Sequence, residues 1–260
     1  MDKTEKVAIR VVQTLIPGAR MIPHDLGGNG EYDFDLLLPS GDSYPLEVTS
    51  ATDRSARGTT AAILDEKRGG QLVQGKHCKN SWYVQPAPKA RINDIRKRVD
   101  KYLAALEKEG IEKFSSPFEA QSVAIKAIYH NLGVEAACSW QSQQPQSISI
   151  GLPNKTAILW DRTPATEAAL AEAWKEDNRR KLAQVAAVRR YLFVYVDHSC
   201  FAAWFAMIHF EPPHSRAVLP PEITNILVAA QKTYPETFVV WQARAGNPWE
   251  NNGSIRVSTS

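Results

Sequence analysis

Two short stretches of the chain carry side chains able to manage a metal ion and a phosphate. Asp33 and Asp35 fall in Tyr32–Leu38, and Glu47 and Thr49 fall in Tyr44–Ser50. Both stretches alternate apolar and polar residues, the two-residue period of a strand, and Ser40-Gly41-Asp42 between them reads as a hairpin turn. Alternation places Tyr32, Phe34, Leu36 and Leu38 on one face and Asp33, Asp35 and Leu37 on the other. In the second strand Tyr44, Leu46 and Val48 oppose Pro45, Glu47 and Thr49. A three-residue loop of Ser40–Asp42 then pairs Asp35 with Glu47 and Asp33 with Thr49 and brings the apolar faces together, whereas a two-residue loop would set polar against apolar. Carboxylates directly opposite each other destabilise a sheet by repulsion. A hard divalent cation, Mg2+ or Mn2+, would remove that repulsion, because such ions take carboxylate oxygens together with water and phosphate. An edge hairpin with its polar face in water, where the repulsion is screened, is the alternative.

The elements around this hairpin are legible from caps and periodicity. Asp2 and Glu5 have capping-box spacing, and Val7, Val11, Val12, Leu15 and Ile16 form a helical stripe ended by Pro17-Gly18. A short strand is expected at 20–23. The following Gly27-Gly28-Asn29-Gly30 lacks the lysine and spacing of a phosphate-binding loop. Beyond the hairpin the pattern gives a helix at Thr60–Lys67, a strand at Ser81–Gln85, a helix with the stripe Ile92, Ile95, Val99, Leu103 and Leu106, and a helix at Phe118–Asn131. Strands at Val134–Ser139 and Ser147–Leu152 flank a polar loop at Gln141–Gln146. A long helix is expected from Ala165 to about Ala187, then a continuous apolar run, Tyr191–Asp197, of the kind buried on both faces in mid-sheet. A short helix near Phe201–Ile208 and strands at Ile223–Ala229 and Thr237–Ala243 complete the chain.

This arrangement resembles a known family. Asp35, a dozen residues of hairpin, and Glu47-Val48-Thr49 look like the core of the PD-(D/E)xK, or restriction-endonuclease-like, nuclease superfamily. The resemblance implies an α/β fold with a mixed central sheet and flanking helices, an α-β-β-β-α-β core, here with a large insertion and C-terminal additions. Residues 1–50 and 160–260 would form that core, and 51–159 a mostly helical insertion. It also implies a metal-dependent endonuclease hydrolysing phosphodiester bonds, in DNA first, in a restriction or phage-defence setting. Asp35 and Glu47 would hold magnesium, with Asp33 as a further ligand. Thr49 stands where the family has a lysine, and a hydroxyl cannot supply the fixed charge that stabilises a phosphorane. Lys181 is a candidate replacement: at 100° per residue it falls close to Leu170, Trp174 and Val185 on the long helix, with Asn178 at the edge of that stripe. A lysine whose stem covers core while its amine reaches water is the bland reading. Without a working lysine, the chain would be an inactive nuclease fold used for nucleic-acid binding or protein interaction.

Composition bounds these expectations. The 260 residues are 43% hydrophobic and 23% charged, ordinary globular usage. Apolar runs stop well short of the roughly 20 residues needed to cross a bilayer, so no membrane partner is expected. The acidic, polar start and three scattered cysteines suit the cytoplasm. A net charge of +3 says little about nucleic acid, but residues 76–101 hold eight Lys or Arg against Asp94 and Asp100. Lys76, Lys79, Lys97, Arg98 and Lys101, with Trp82 and Tyr83 nearby, are the candidate phosphate-neutralising set, a solvated helix face being the alternative. The six histidines form no zinc pattern, and no nucleophile elbow or dinucleotide fingerprint is present. Homodimerisation is left open.

Overall fold

The computed structural model describes residues 1–24, 31–115, 122–141, 146–153, 163–233 and 236–257. In chain order the first elements are α1 (Lys3–Leu15), β1 (Arg20–Pro23), β2 (Phe34–Leu37), β3 (Ser43–Ala51) and α2 (Arg54–Leu64). Next come β4 (Leu72–Gln74), β5 (Ser81–Pro86), α3 (Ile92–Lys108), β6 (Lys113–Phe114), α4 (Val123–Leu132), β7 (Val134–Trp140) and β8 (Ser147–Ile150). The last are α5 (Thr163–Ala173), α6 (Glu176–Ala183), β9 (Tyr191–Val196), α7 (Phe201–His209), β10 (Asn225–Thr233), β11 (Thr237–Arg244) and β12 (Glu250–Arg256). The chain divides into two compact α/β units, one of Met1–Thr52 with Trp160–Ser260 and one of Asp53–Leu159. The glycine loop at 27–30, most of the 141–146 loop, the start expected for the fourth helix at 118–121, and Trp160 lie outside the described residues.

The first unit is built on a seven-stranded mixed sheet in the order β1-β2-β3-β9-β10-β11-β12. The apolar run of β9 lies at its centre, parallel to both β3 and β10, and all six of its residues are buried. Tyr191, Phe193 and Tyr195 face a core with Val11 and Val12 of α1 and Phe34, Leu36 and Leu46 of the hairpin. Leu192, Val194 and Val196 face a second core with Ala165, Ala169, Leu182 and Met207 of α5 to α7. A strand sandwiched this way needs apolar side chains at every position, which is why it reads as a run and not as an alternation. Helix α1 keeps the expected capping box, Asp2 accepting from the Glu5 amide and Glu5 accepting from the Asp2 amide.

The hairpin register differs from expectation. Phe34 pairs with Leu46, Asp35 with Pro45, and Leu36 with Tyr44, a slip of two residues from the pairing of Asp35 with Glu47. The loop is Pro39-Ser40-Gly41: the Gly41 amide donates to the Leu38 carbonyl at 2.9 Å and the Leu38 amide to the Asp42 carbonyl at 2.8 Å. Gly41 has φ +90°, so it takes the left-handed last position of a three-residue loop, not the middle one. A shift of two leaves every side chain on its face, so the hydrophobic pattern alone could not separate the two registers. Tyr32 is a second departure. It precedes the first residue of β2 and packs in the core on the side opposite Phe34 and Leu36.

The long helix expected over 165–187 is two helices, broken at Trp174 and Lys175. Lys175 is extended, at φ −63° and ψ 133°, and the Glu172 carbonyl accepts both from the Lys175 amide at 3.2 Å and from the Asn178 side chain at 2.9 Å. Glu176 and Asp177 then occupy the first turn of α6, where acidic side chains suit the positive end of the helix dipole. Trp174, expected on a buried stripe, is 48% exposed. The edge strand β12 was not expected because Glu250-Asn251-Asn252-Gly253 carries no apolar alternation.

The second unit has its own five-stranded mixed sheet, β4-β8-β5-β7-β6. Val84, Val134 and Ile148 of the sheet pack with Ile95, Val99 and Leu103 of α3 and Ile125 and Ile128 of α4. The segment before β5 is folded onto α3 by two carboxylates. Asp100 accepts from the amides of Lys76, His77 and Cys78, and Glu107 accepts from those of Lys79 and Asn80 and from the Trp82 indole.

A Cβ added at Gly41 would meet nothing within 4 Å, so substitution there isolates the backbone cost of the left-handed conformation. Gly41→Ala is expected to lower stability by about 1 kcal/mol in urea denaturation with an unchanged m-value. An unaffected midpoint would remove the turn assignment.

Candidate functional site

Glu47 is the central residue of the candidate site. Its strand lies between β2 and β9, and its side chain is on the α5–α6 side of the sheet with that of Thr49, beside Leu192 and Val194. Only 2% of the residue is exposed. Lys181 of α6 donates from Nζ to Glu47 Oε1 at 2.8 Å and lies 3.7 Å from Asp177. Glu47 Oε2 is buried and has no hydrogen-bond partner. The ion pair forms although the helix is broken, because α6 buries Asn178 and Leu182 on the face beside Lys181. The interruption at Trp174–Lys175 makes the stripe of Leu170 and Trp174 irrelevant to the lysine's direction.

The second carboxylate is Asp33. One residue before the start of β2 it sits at a bend, and its Oδ2 accepts from the Val48 amide at 2.8 Å. The carboxyl groups of Asp33 and Glu47 are close enough to influence each other's charge. Burial, reinforced by the charge of Asp33, pushes Glu47 up to about 8 against the pull of Lys181. Burial likewise raises Asp33, while the Val48 amide works the other way. Burial opposes the charge on Lys181 too, but the hydrogen bond and charge of Glu47 outweigh it and raise the ammonium's pKa. The two neighbouring acids thus oppose each other's ionisation, as in any closely coupled carboxyl pair.

Asp35, expected as the principal metal ligand, sits across from Pro45. Its Oδ1 accepts from the Tyr32 hydroxyl at 2.8 Å, and its Oδ2 meets His24 Nδ1 at 3.1 Å. His24 is also 3.3 Å from Glu31 through Nε2 and stacks on Tyr32 with ring centroids 4.2 Å apart. Thr49 donates to Glu172 Oε2 at 3.0 Å, and the same oxygen lies 2.5 Å from Lys175 Nζ. Glu172 is 6% exposed. It was missed by the sequence reading, although its spacing of seven from Ala165 and three from Ala169 puts it on the buried stripe of α5. The place expected for a lysine three residues into the Glu-Val-Thr strand is thus taken by a hydroxyl bonded to a second glutamate, and the lysine nearest Glu47 comes from a different element.

Among the described residues no three or more His, Cys, Asp or Glu side chains are grouped so as to hold a metal ion. The donor set that does fit is the pair Asp33 and Glu47, with the unpartnered Glu47 Oε2 as its free coordination atom. Magnesium is commonly held by one or two carboxylates, with water and phosphate completing its octahedron. His198 remains apart from this group: burial lowers its pKa, and its ring lies 4.9 Å from that of Trp204.

In the second unit the basic candidates separate. Lys97, Arg98 and Lys101 are exposed along α3 and line a hollow with Tyr102 and residues of α4. Lys76 and Lys79 lie in the segment that Asp100 and Glu107 fold, and line neither of the hollows beside α3. No helix among the described residues is long and apolar enough to cross a membrane. No family model, no curated protein and no solved structure matches the chain.

The raised Glu47 pKa has a signed consequence for stability. Between its ordinary 4.5 and about 8, the unfolded chain gives up the proton and the folded chain keeps it. Stability therefore falls as pH rises through that window and levels off above it. Glu47→Gln retains an acceptor for Lys181 and removes this penalty. Its stability relative to the parent should improve by on the order of 4 kcal/mol between pH 4.5 and 8.5, read from urea melts without metal. A difference constant with pH would show that Glu47 is ionised throughout.

Proposed function

We propose that the chain is a metal-dependent phosphodiesterase acting on nucleic acid, DNA in the first place, built on a variant of the restriction-endonuclease-like core. The observation that carries this reading is the ammonium of Lys181 at 2.8 Å from a buried carboxylate whose other oxygen has no partner. It offers a fixed positive charge beside the acidic residue, from α6, where the strand itself supplies only Thr49. The order of one helix, three strands, then helices and a parallel central strand also supports the family reading. A role in restriction or phage defence remains an inference from the family alone.

In this reading Asp33 and Glu47 would hold Mg2+ or Mn2+, which supplies charge neutralisation on the phosphate when bound. Asp35 is not in that set and would act through Tyr32 and His24, which fix the segment leading into Asp33. Glu47 must release its proton to become a ligand, so cation affinity should rise with pH toward about 8. Lys181 keeps a positive charge next to the reacting phosphate, where negative charge grows in the transition state and a preorganised cation contributes most. Glu172, held by Thr49 and Lys175, fixes the α5–α6 connection from which Lys181 projects. The alternative, an inactive fold used for binding, is favoured by one observation: Lys181 already compensates Glu47 without a metal.

The test is cleavage of single- and double-stranded DNA and RNA in magnesium or manganese, beside thermal melting with and without the metal. Asp33→Asn and Glu47→Gln are expected to abolish cleavage and the metal-dependent rise in Tm. Lys181→Met, which keeps the stem's packing, should cost at least roughly 100-fold in rate while the metal still raises Tm. Cleavage by none of the substrates, together with a Tm indifferent to both metals, would leave the binding module as the correct reading.

A further inference from the structure

Two hollows lie along the pair of helices α3 and α4 in the second unit, and Arg98 lines both. One, of about 590 Å3, is bounded by Lys89, Arg91, Asp94, Tyr129 and His130. The other, of about 540 Å3, is bounded by Lys97, Lys101 and Tyr102. Each lies within the size range of small-ligand sites. Arg91 and Arg98 are seven residues apart, two turns of α3, and so project along one face. Among the described residues, no carboxylate forms an ion pair with Lys89, Arg91, Lys97, Arg98 or Lys101, whereas Asp100 and Glu107 are occupied with backbone amides.

The floor of the larger hollow is preformed. Gly133 caps α4 in the left-handed conformation, its amide donating to the Tyr129 carbonyl and its carbonyl accepting from the Ala87 amide at 2.7 Å. The turn that follows closes through the Ala90 amide and the Ala87 carbonyl, and Thr59 donates to the Pro88 carbonyl at 2.6 Å. Lys89 and Arg91 project from this tethered turn. Arg91 is the N-cap of α3 and makes no side-chain cap bond, so the positive end of a 17-residue helix adds to the field there.

We propose that the two hollows form one track for single-stranded nucleic acid, with Arg91 and Arg98 on the phosphates and Tyr102 and Tyr129 as base platforms. The flat surfaces required are present: the Arg98 guanidinium stands 5.7 Å from the Tyr102 ring centroid and donates to its hydroxyl, and Tyr129 meets His130 edge-on at 5.4 Å. Unpaired bases stack on such faces whatever their sequence, and the backbone follows the positive charge. An acidic peptide would find the cations, but it carries no regular series of flat groups to match the Tyr102 and Tyr129 rings. A duplex keeps its bases stacked on one another and leaves both hollows unfilled. The track names the strand form of the substrate in the reading above, and rests on that reading for its purpose but not for its test.

The experiment measures fluorescence anisotropy in EDTA with the full chain carrying Glu47→Gln. Its probes are a labelled oligothymidylate of roughly a dozen nucleotides, within the usual span of such tracks, and a duplex of equal length. The single strand should bind at least about tenfold more tightly than the duplex. Arg91→Gln with Arg98→Gln should weaken it at least about tenfold and flatten the salt slope by about 1.4, two phosphates' worth for a single strand. Tyr129→Leu should weaken binding about tenfold with the salt slope intact. Lys76→Gln with Lys79→Gln, outside both hollows, should change affinity by less than about twofold. Equal affinity for duplex and single strand, or equal losses from the Lys76/Lys79 and Arg91/Arg98 pairs, would overturn the track and leave diffuse charge. Retained single-strand binding with no cleavage by the parent chain would overturn only the catalytic reading.

Discussion

A carboxyl group enclosed between the middle strands of a sheet must be compensated, and Glu47 imposes that requirement on everything around it. The strand cannot move aside, because β3 is hydrogen-bonded on both edges. Compensation has to arrive from the face, which is where α6 delivers an ammonium, while the bend at Asp33, just before β2, places a second acid that works against it. The interruption between α5 and α6 follows from the same need. A continuous helix would carry Lys181 along the axis of α5; breaking it at Lys175 redirects the next two turns, and Asn178 ties α6 back to the last turn of α5 through the Glu172 carbonyl.

The second unit handles a partly buried carboxyl by different means. Burial pushes the Asp100 carboxyl up, just as it does Glu47, yet the amides of Cys78, His77 and Lys76 more than reverse the effect and hold it below the usual range. Backbone N–H groups favour only the ionised form and bring no competing acid. Glu47 has one ammonium and one rival carboxylate, so its balance tips the other way. The first arrangement fixes a loop permanently, while the second leaves an oxygen that a cation can claim. The two acids thus differ both in depth and in the partners that surround them.

Much of the architecture was legible because local signals agreed. The capping box of α1, the stripe of α3 and the continuous apolar run of β9 each specified an element and its burial. The errors fell where period alone was asked to do the work of turn chemistry. Gly41 at the last loop position, after Pro39, marks a loop one residue earlier than the one expected, and that displacement exchanges Asp35 for Asp33 opposite Glu47. At Lys175-Glu176-Asp177, paired acids signal a new helix start, but a persistent apolar stripe masked it. Lys181 was singled out through its place on that supposed stripe, and its contact with Glu47 arises from a different geometry. Glu172 and the His24–Tyr32–Asp35 group were missed because their significance lies in contacts between segments that no local period encodes.

The pairing of β3 with β9 joins residues 46–51 to residues 191–196, with an entire compact unit threaded between them. During synthesis the N-terminal hairpin emerges long before its central partner exists, and it must wait with one edge of β3 unpaired, the kind of edge that recruits foreign strands. The chain-entropy cost of closing the parallel pair grows only slowly with the length of the segment between its strands, although such non-local pairing forms late. Assembly of the central sheet therefore waits on the synthesis of a segment that contributes no strand to it.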